Sequence, residues 1–434
     1  MNTSLSAPTI QPADAATRSA LWHPMSHMGS VSTELVVRCA EGVWFWDTSG
    51  RRYLDGSSGL WHTNVGHGRT EIVDAVTAQL RALPTYPIFQ DLAHEPALEL
   101  AERLSQLAPT DGAKVFFGSG GSDGVDTAGK LARLFWHTLG QADRTHIISR
   151  NHAYHGSHAY GTSLGGVPAN RRGYGQIVPA TSQVEHNSVD ALAAEIARIG
   201  SDRVAAFIFE PVIGSGGVYP PGDGYIDGVA ALCREHGILL IADATICAFG
   251  RLGTWFGVER WDVTPDMIVF AKGVTSGYLP LGGVIVSSSV AEPFWNAEGP
   301  AVRHGMTYAG HAACCAAALA NLRILEHEGL VARGRELESD LYAALAASAD
   351  NPAVGEVRGG TGLMAAISLA PDLLAARPEA PTDLYRAMRA DGVHSRAIPD
   401  GVALSPPLIV QAEHLEIIAE VVRTSLVEIT RKGR

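Results

Sequence analysis

Four lysines occur in the 434-residue chain, Lys114, Lys130, Lys272 and Lys432, and one of them stands where a lysine could do chemistry. Lys432 lies in a polar tail, Lys130 on an amphipathic helical pattern, and Lys114 at the start of an apolar run. Lys272 ends such a run, in DMIVFAKGVTSGYLPLGG, with small residues on both sides that leave room for a bulky ligand. An ammonium at the end of a buried strand has a depressed pKa and can act as a nucleophile or form a Schiff base. The plainer alternative is a lysine that snorkels out to solvent. Asp243 closes another apolar run, in ILLIADATICAFGR. A buried, unpaired carboxylate is costly or takes up a proton, so it needs a cationic partner, a metal or a special role, unless it is merely a cap or turn former. A third stretch, VFFGSGGSDGVDTAGKLAR, puts Gly120, Gly121 and Ser122 between a strand pattern and a helix pattern. Free N–H groups, serine hydroxyls and close backbone approach make such a loop a phosphate cradle. It matches neither G-x-x-x-x-G-K-[ST] nor G-x-G-x-x-G, so nucleotide binding is not favoured.

The elements that must position these residues follow from hydrophobic pattern. Short apolar runs at AKVFF, HIIS, VAAFIFEPV, GILLIAD, DMIVFAK and GGVIVSS alternate with helical patterns such as DTAGKLARLFWHTL and YIDGVAALCREHG. Near-continuous apolar strands alternating with helices predict a mostly parallel sheet covered on both faces, an α/β fold. Ligands of such sheets bind beyond the carboxyl ends of the strands, where Gly120, Glu210, Asp243 and Lys272 fall. Residues 1–70 read as an N-terminal arm plus a β-hairpin turning at Thr48-Ser49-Gly50, residues 71–328 as the large α/β domain, and residues 329–434 as a C-terminal α+β segment.

The formal charge of -12 argues against general affinity for nucleic acid or anionic membranes. The five cysteines show no C-x-x-C spacing, so neither a disulfide framework nor a metal site is expected, and a reducing cytoplasm fits. The N-terminus lacks the charged and apolar regions of a secretion signal, and AACCAAALANL is too short to span a bilayer and reads as a buried helix.

A lysine, an acid and a phosphate cradle on adjacent strand ends suggest pyridoxal 5'-phosphate, with the lysine on the aldehyde, the cradle on the phosphate and Asp243 on the pyridine nitrogen. At this point the chain resembles the class III aminotransferases of fold type I, and most closely their ω-amine:pyruvate group. The resemblance rests on DGSSGLWHTNVGHGR, SGGSDGVDTAGKLAR, YHGSHAYGTSLGG, EPVIGSGGVYPP, IADATICAFGRLGTWFG, AKGVTSGYLPLGGV, HGMTYAGH and SPPLIV, in the family's order over roughly residues 20 to 430. It implies a large domain with a mostly parallel sheet and a smaller α+β domain built from both chain ends. It also implies that Lys272 carries the Schiff base and moves the proton, that Asp243 pairs with the pyridine nitrogen, and that Tyr154 stacks on the ring. Gly120, Gly121 and Ser122 would hold the phosphate, Glu210 would lie near the cofactor, and Thr245 would take the place of a valine packed under the ring. Thr307 would reach the phosphate of the other subunit, which implies a homodimer with shared sites, or a tetramer of such dimers. Trp61, Phe89 and Tyr86 match positions that line the substrate pocket. Arg396, ten residues before Pro406, matches a mobile arginine that binds a substrate carboxylate, so a keto acid such as pyruvate would be the acceptor and an amine or ω-amino acid the donor.

Three positions depart from the family pattern. Ala244 and Thr245 replace Glu and Val after the cofactor aspartate, and Gly120 replaces a serine or threonine. The Thr245 hydroxyl needs a partner or is left as a buried polar group. The alternative reaction on this fold is other pyridoxal phosphate chemistry, that of an aminomutase, racemase or decarboxylase. A non-catalytic binding protein would be expected to have lost the lysine, the aspartate or the cradle, and the chain keeps all three.

Overall fold

The computed structural model describes residues 20–30, 34–175 and 177–431, so the greater part of the expected N-terminal arm, and Lys432, lie outside the described residues. Three short strands, β1 (Val37–Glu41), β2 (Trp44–Asp47) and β3 (Arg52–Asp55), pair antiparallel, with β2 and β3 joined by the expected hairpin. A seven-stranded sheet follows, made of β4 (Lys114–Gly118), β5 (His146–Arg150), β6 (Thr181–Val184), β7 (Val204–Phe209), β8 (Leu239–Asp243), β9 (Met267–Phe270) and β10 (Gly282–Val286). Its order is β4-β10-β9-β8-β7-β5-β6, and β10 alone runs against the other six. The C-terminal part adds β11 (Val354–Arg358), β12 (Ala365–Leu369), β13 (Val393–His394), β14 (Arg396–Ile398) and β15 (Gly401–Leu404). Four of these form a sheet in the order β11-β12-β15-β14, while β13 crosses to pair parallel with β3.

All six residues of β7, all five of β8 and all four of β9 are buried, as a sheet covered on both faces requires. Alternate side chains go to opposite layers, the period-two consequence of the pleat. Phe207, Phe209, Ile268 and Phe270 join the larger core, whereas Ala206, Ile208, Met267 and Val269 join the layer against the helix Gly121–Thr138. Each apolar run read from the sequence is a strand. The seventh strand, β6, was not expected: its sequence TSQV has no apolar run, because it lies at the sheet edge with only Val184 buried. The alanine-rich segment is a buried helix, Ala312–His327, and the C-terminal helix spans Ala412–Arg431. Among the described residues no helix is long and apolar enough to cross a membrane.

Candidate active site

The six parallel strands end on one side of the sheet, and there the chain forms a cavity of about 580 Å³. Gly120, Gly121, Ser122, Tyr154, Glu210, Asp243, Thr245, Lys272, Trp61 and Arg396 all line it. Gly120, Glu210, Asp243 and Lys272 come together because they stand at or just beyond the ends of parallel strands, while Trp61, after β3, and Arg396, the first residue of β14, face them from the two smaller sheets.

Lys272 follows β9 by two residues and sits in the left-handed region, φ 48°, a conformation that a non-glycine residue adopts only where its surroundings hold it. Burial pulls its amine below the usual lysine range, although Asp243 and Glu210 act in the opposite sense. Asp243, the last residue of β8, is 3% exposed. Burial alone would raise its pKa, but the hydrogen bond to His155, 2.8 Å from Nδ1, and the N–H donated by Thr245 at 3.2 Å hold it below the usual carboxylate range. His155 is a hydrogen-bond partner of this acid within the chain itself. It follows Tyr154 in the chain and could not be singled out from the sequence, since a histidine in a loop carries no pattern of its own.

Glu210 behaves in the opposite way. Buried beside Asp243, its carboxyl is pushed up, first by desolvation, despite N–H groups donated by Tyr154 at 2.9 Å and Gly214 at 3.0 Å. Two neighbouring acids are thus driven apart, one toward the ionised form and one toward the neutral form. Glu210 also fixes the backbone of Tyr154, whose phenol lines the cavity.

The anion cradle is the start of the helix Gly121–Thr138, whose cap position, Gly120, offers no side-chain acceptor to the first N–H groups. A Cβ on Gly121 would lie 2.9 Å from Thr245 Cγ2, so glycine is required there, while a Cβ on Gly120 would meet nothing within 4 Å. Thr245 Oγ1 makes no hydrogen bond of good geometry among the described residues and is tucked against Gly121, yet it is near enough to Asp243 to help hold that carboxyl down. These features fit pyridoxal phosphate: an uncapped helix end for its dianion, an ionised aspartate for a protonated ring nitrogen, and a primary amine for its aldehyde.

Three expected residues do not line the cavity. Tyr86 is 53% exposed and Phe89 45% exposed on the segment after the helix Thr70–Ala82, and Thr307 is exposed as well. Phe89 and the Thr307 loop are neighbours on that surface, since a Cβ on Gly305 would lie 3.4 Å from the Phe89 ring. Tyr86 and Phe89, expected at positions that line a substrate pocket, lie on a segment that runs along the outside of this chain and away from its cavity. His62, Leu60 and Met25 line the cavity without having been singled out. His62 was legible only as the residue after Trp61.

The family described as aminotransferase class-III matches residues 25–426. Putrescine–pyruvate aminotransferase from Pseudomonas aeruginosa is 35% identical over 413 residues, covering 90% of each chain. Among solved structures, a thermostable (S)-enantioselective omega-transaminase from Thermomicrobium roseum is 39% identical with a TM-score of 0.90, over 94% of this chain and 96% of that one. An amine transaminase from an uncultivated Pseudomonas species, in its pyridoxal-phosphate-bound form, is 35% identical with a TM-score of 0.91, over 95% and 99%. The fold is therefore the fold type I arrangement that the sequence motifs imply.

Proposed function

The chain belongs to the class III aminotransferases, and from that membership we propose that it moves an amino group from an amine or ω-amino acid to a keto acid such as pyruvate, using pyridoxal 5'-phosphate. The observation that carries the reading is the convergence of Lys272, Asp243 and the uncapped helix end on one cavity. When bound, the cofactor supplies an aldehyde that exchanges amino groups and a ring that accepts the electron pair left by a departing proton. The chain's own residues do the rest. The Lys272 amine, whose pKa burial pulls below the usual lysine range, takes a proton from the substrate carbon and returns it. Asp243, held ionised by His155, favours a protonated ring nitrogen. Gly120, Gly121 and Ser122 would hold the phosphate, and Tyr154 would cover the ring. The Trp61 ring would meet the amine, and the Arg396 guanidinium a keto-acid carboxylate, as its place in the cavity wall supports.

The homodimer with shared sites belongs to the same proposal. It is supported by the exposed apolar band of Tyr86, Phe89, Leu92 and Tyr308, which carries the residues that the family resemblance assigns to a pocket or a phosphate and this chain leaves outside its own. So does the division at about residues 70 and 328, supported by the pairing of β13 with β3, which joins both chain ends. The five unpaired cysteines support a reducing, cytoplasmic location. The test is product formation from (S)-1-phenylethylamine. Acetophenone that accumulates only when pyruvate is supplied, and not with Lys272→Ala, is expected. Amino-group migration or carbon dioxide release without an acceptor would replace this reading with an aminomutase or decarboxylase.

A further inference from the structure

The cavity wall carrying Trp61 is backbone under strain. Between β3 and Thr63 the chain passes through positive φ at Ser58 (47°), Gly59 (64°) and Trp61 (64°), yet Ser57, Ser58 and Trp61 are all at most 2% exposed. Residues in sparsely populated conformations persist only where neighbouring groups hold them. The group holding this loop is Asp55, the last residue of β3, itself 1% exposed. Its Oδ2 accepts the Gly59 N–H at 2.7 Å and lies 2.9 Å from His67 Nε2, and its Oδ1 accepts the Ser57 N–H at 3.2 Å and faces the Ser57 hydroxyl at 3.4 Å.

Asp55 is also the register partner of His394 where β3 pairs with β13, and Arg396 follows two residues later in the wall of the same cavity. The backbone between is packed without slack: a Cβ on Gly56 would lie 2.6 Å from Leu404 and 2.8 Å from the His394 carbonyl. From the other side the Ser58 hydroxyl donates to the Ser405 carbonyl at 2.7 Å, and the Ser405 N–H to the Gly56 carbonyl at 2.7 Å. Arg251 Nη2 reaches Ser58 Oγ at 3.1 Å and Asn64 Oδ1 at 2.9 Å. The loop is thus fastened at both ends, and Asp55 is its charged fastening.

We propose that Asp55, paired with His67, is the positioning residue of the substrate pocket: it holds the Ser57–His62 loop in its strained form and so fixes Trp61 and His62 as the wall that admits the amine. The inference rests on the transaminase reading. Asp55 touches no reacting atom, and its effect is carried by Trp61. The half-buried His67 keeps the carboxylate from standing alone in an apolar setting, where its charge would be expensive. The Gly59 N–H and the His67 ring both claim Oδ2, so an amide at position 55 cannot serve both while keeping an acceptor toward Ser57.

The test compares a large and a small amine, 1-phenylethylamine and propan-2-amine, with pyruvate as acceptor. Asp55→Asn is expected to raise KM for 1-phenylethylamine about tenfold, with kcat little changed, because misplacing a binding group by a fraction of an ångström weakens orientation. KM for propan-2-amine, which barely needs the wall, is expected to change less than about twofold. In a Trp61→Ala background the same substitution should no longer discriminate between the two amines. Equal losses for both amines, no loss, or discrimination that persists without Trp61 overturns the proposal. Should Asp55→Asn not fold, His67→Gln decides: a smaller rise confined to the large amine supports the proposal, and no rise or an equal one overturns it. Wild-type protein that makes neither acetophenone nor acetone fails the transaminase reading itself, whereas a wild type that makes both, with variants lacking the discrimination, fails only the present one.

Discussion

At the scale of single residues, the site depends on two buried carboxyls with opposite fates. Removing the imidazole from Asp243 by His155→Leu leaves a buried charge short of its strongest donor, at a cost of about 1.5–3 kcal/mol. The expected result is that the apoprotein's dissociation constant for pyridoxal phosphate rises about tenfold or more, measured by absorbance titration, while His155→Gln loses less. Glu210 sets a different dependence. Its folded-state pKa is raised by burial, so above the ordinary glutamate range the native protein holds a proton that the unfolded chain has released. Its contribution to stability is therefore present at low pH and is lost as pH rises through the folded value. Asp243, depressed, contributes above the ordinary aspartate range and loses that contribution as pH falls. Cofactor-free Glu210→Gln should then lose less stability than wild type between about pH 5 and 8, by about 1–2 °C in melting midpoint. A variant whose midpoint tracks the wild type across that range would show that Glu210 is charged at neutral pH. Lys272 and Asp243 were legible because each interrupts an apolar run. His155 and His62 were not, because their importance comes from what the fold folds onto them.

At the scale of elements, the cradle depends on how closely the helix Gly121–Thr138 lies on the sheet. A Cβ on Gly124 would fall 2.7 Å from Val269 Cγ1 and 2.8 Å from the Gly283 carbonyl, and one on Gly129 would fall 2.6 Å from the Tyr160 ring. Both glycines are helical, so what they supply is nearness rather than an unusual conformation. Gly124→Ala must move the helix or the strand beneath it, at about 1–3 kcal/mol. Urea unfolding should show that loss, and the shifted helix end should weaken inorganic phosphate and cofactor binding together. Gly129→Ala should cost stability with less effect on binding, since it lies about one and a half turns further from the cradle than Gly124. These strands and helices were readable from pattern because the sheet is covered on both faces and its strands are apolar throughout. β6 escaped because an edge strand with one buried residue looks like a loop. The departure at Gly120 has a plain structural consequence: open space and an extended backbone, φ 178°, leave room for Gly120→Ser.

At the scale of the whole molecule, the surface carries apolar side chains that the single chain leaves uncovered. Tyr86, Phe89, Leu92 and Tyr308 are each between 42% and 71% exposed, and Phe89 packs beside the loop that carries Thr307. Clustered exposed aromatics rimmed by polar residues mark a surface used for association. In a symmetric dimer such a patch meets its own copy, and a band that lies outside its own cavity can border the partner's. Phe89→Arg puts a charge into that contact without touching the cavity of its own chain. It should shift light-scattering mass toward the monomer and reduce turnover by about tenfold or more, as expected for a charge placed in an apolar interface. Circular dichroism of the variant should stay native, since Phe89 is not in the core. Wild-type protein that scatters as an active monomer, or Phe89→Arg that stays dimeric and fully active, would refute shared sites and return Tyr86, Phe89 and Thr307 to ordinary surface positions.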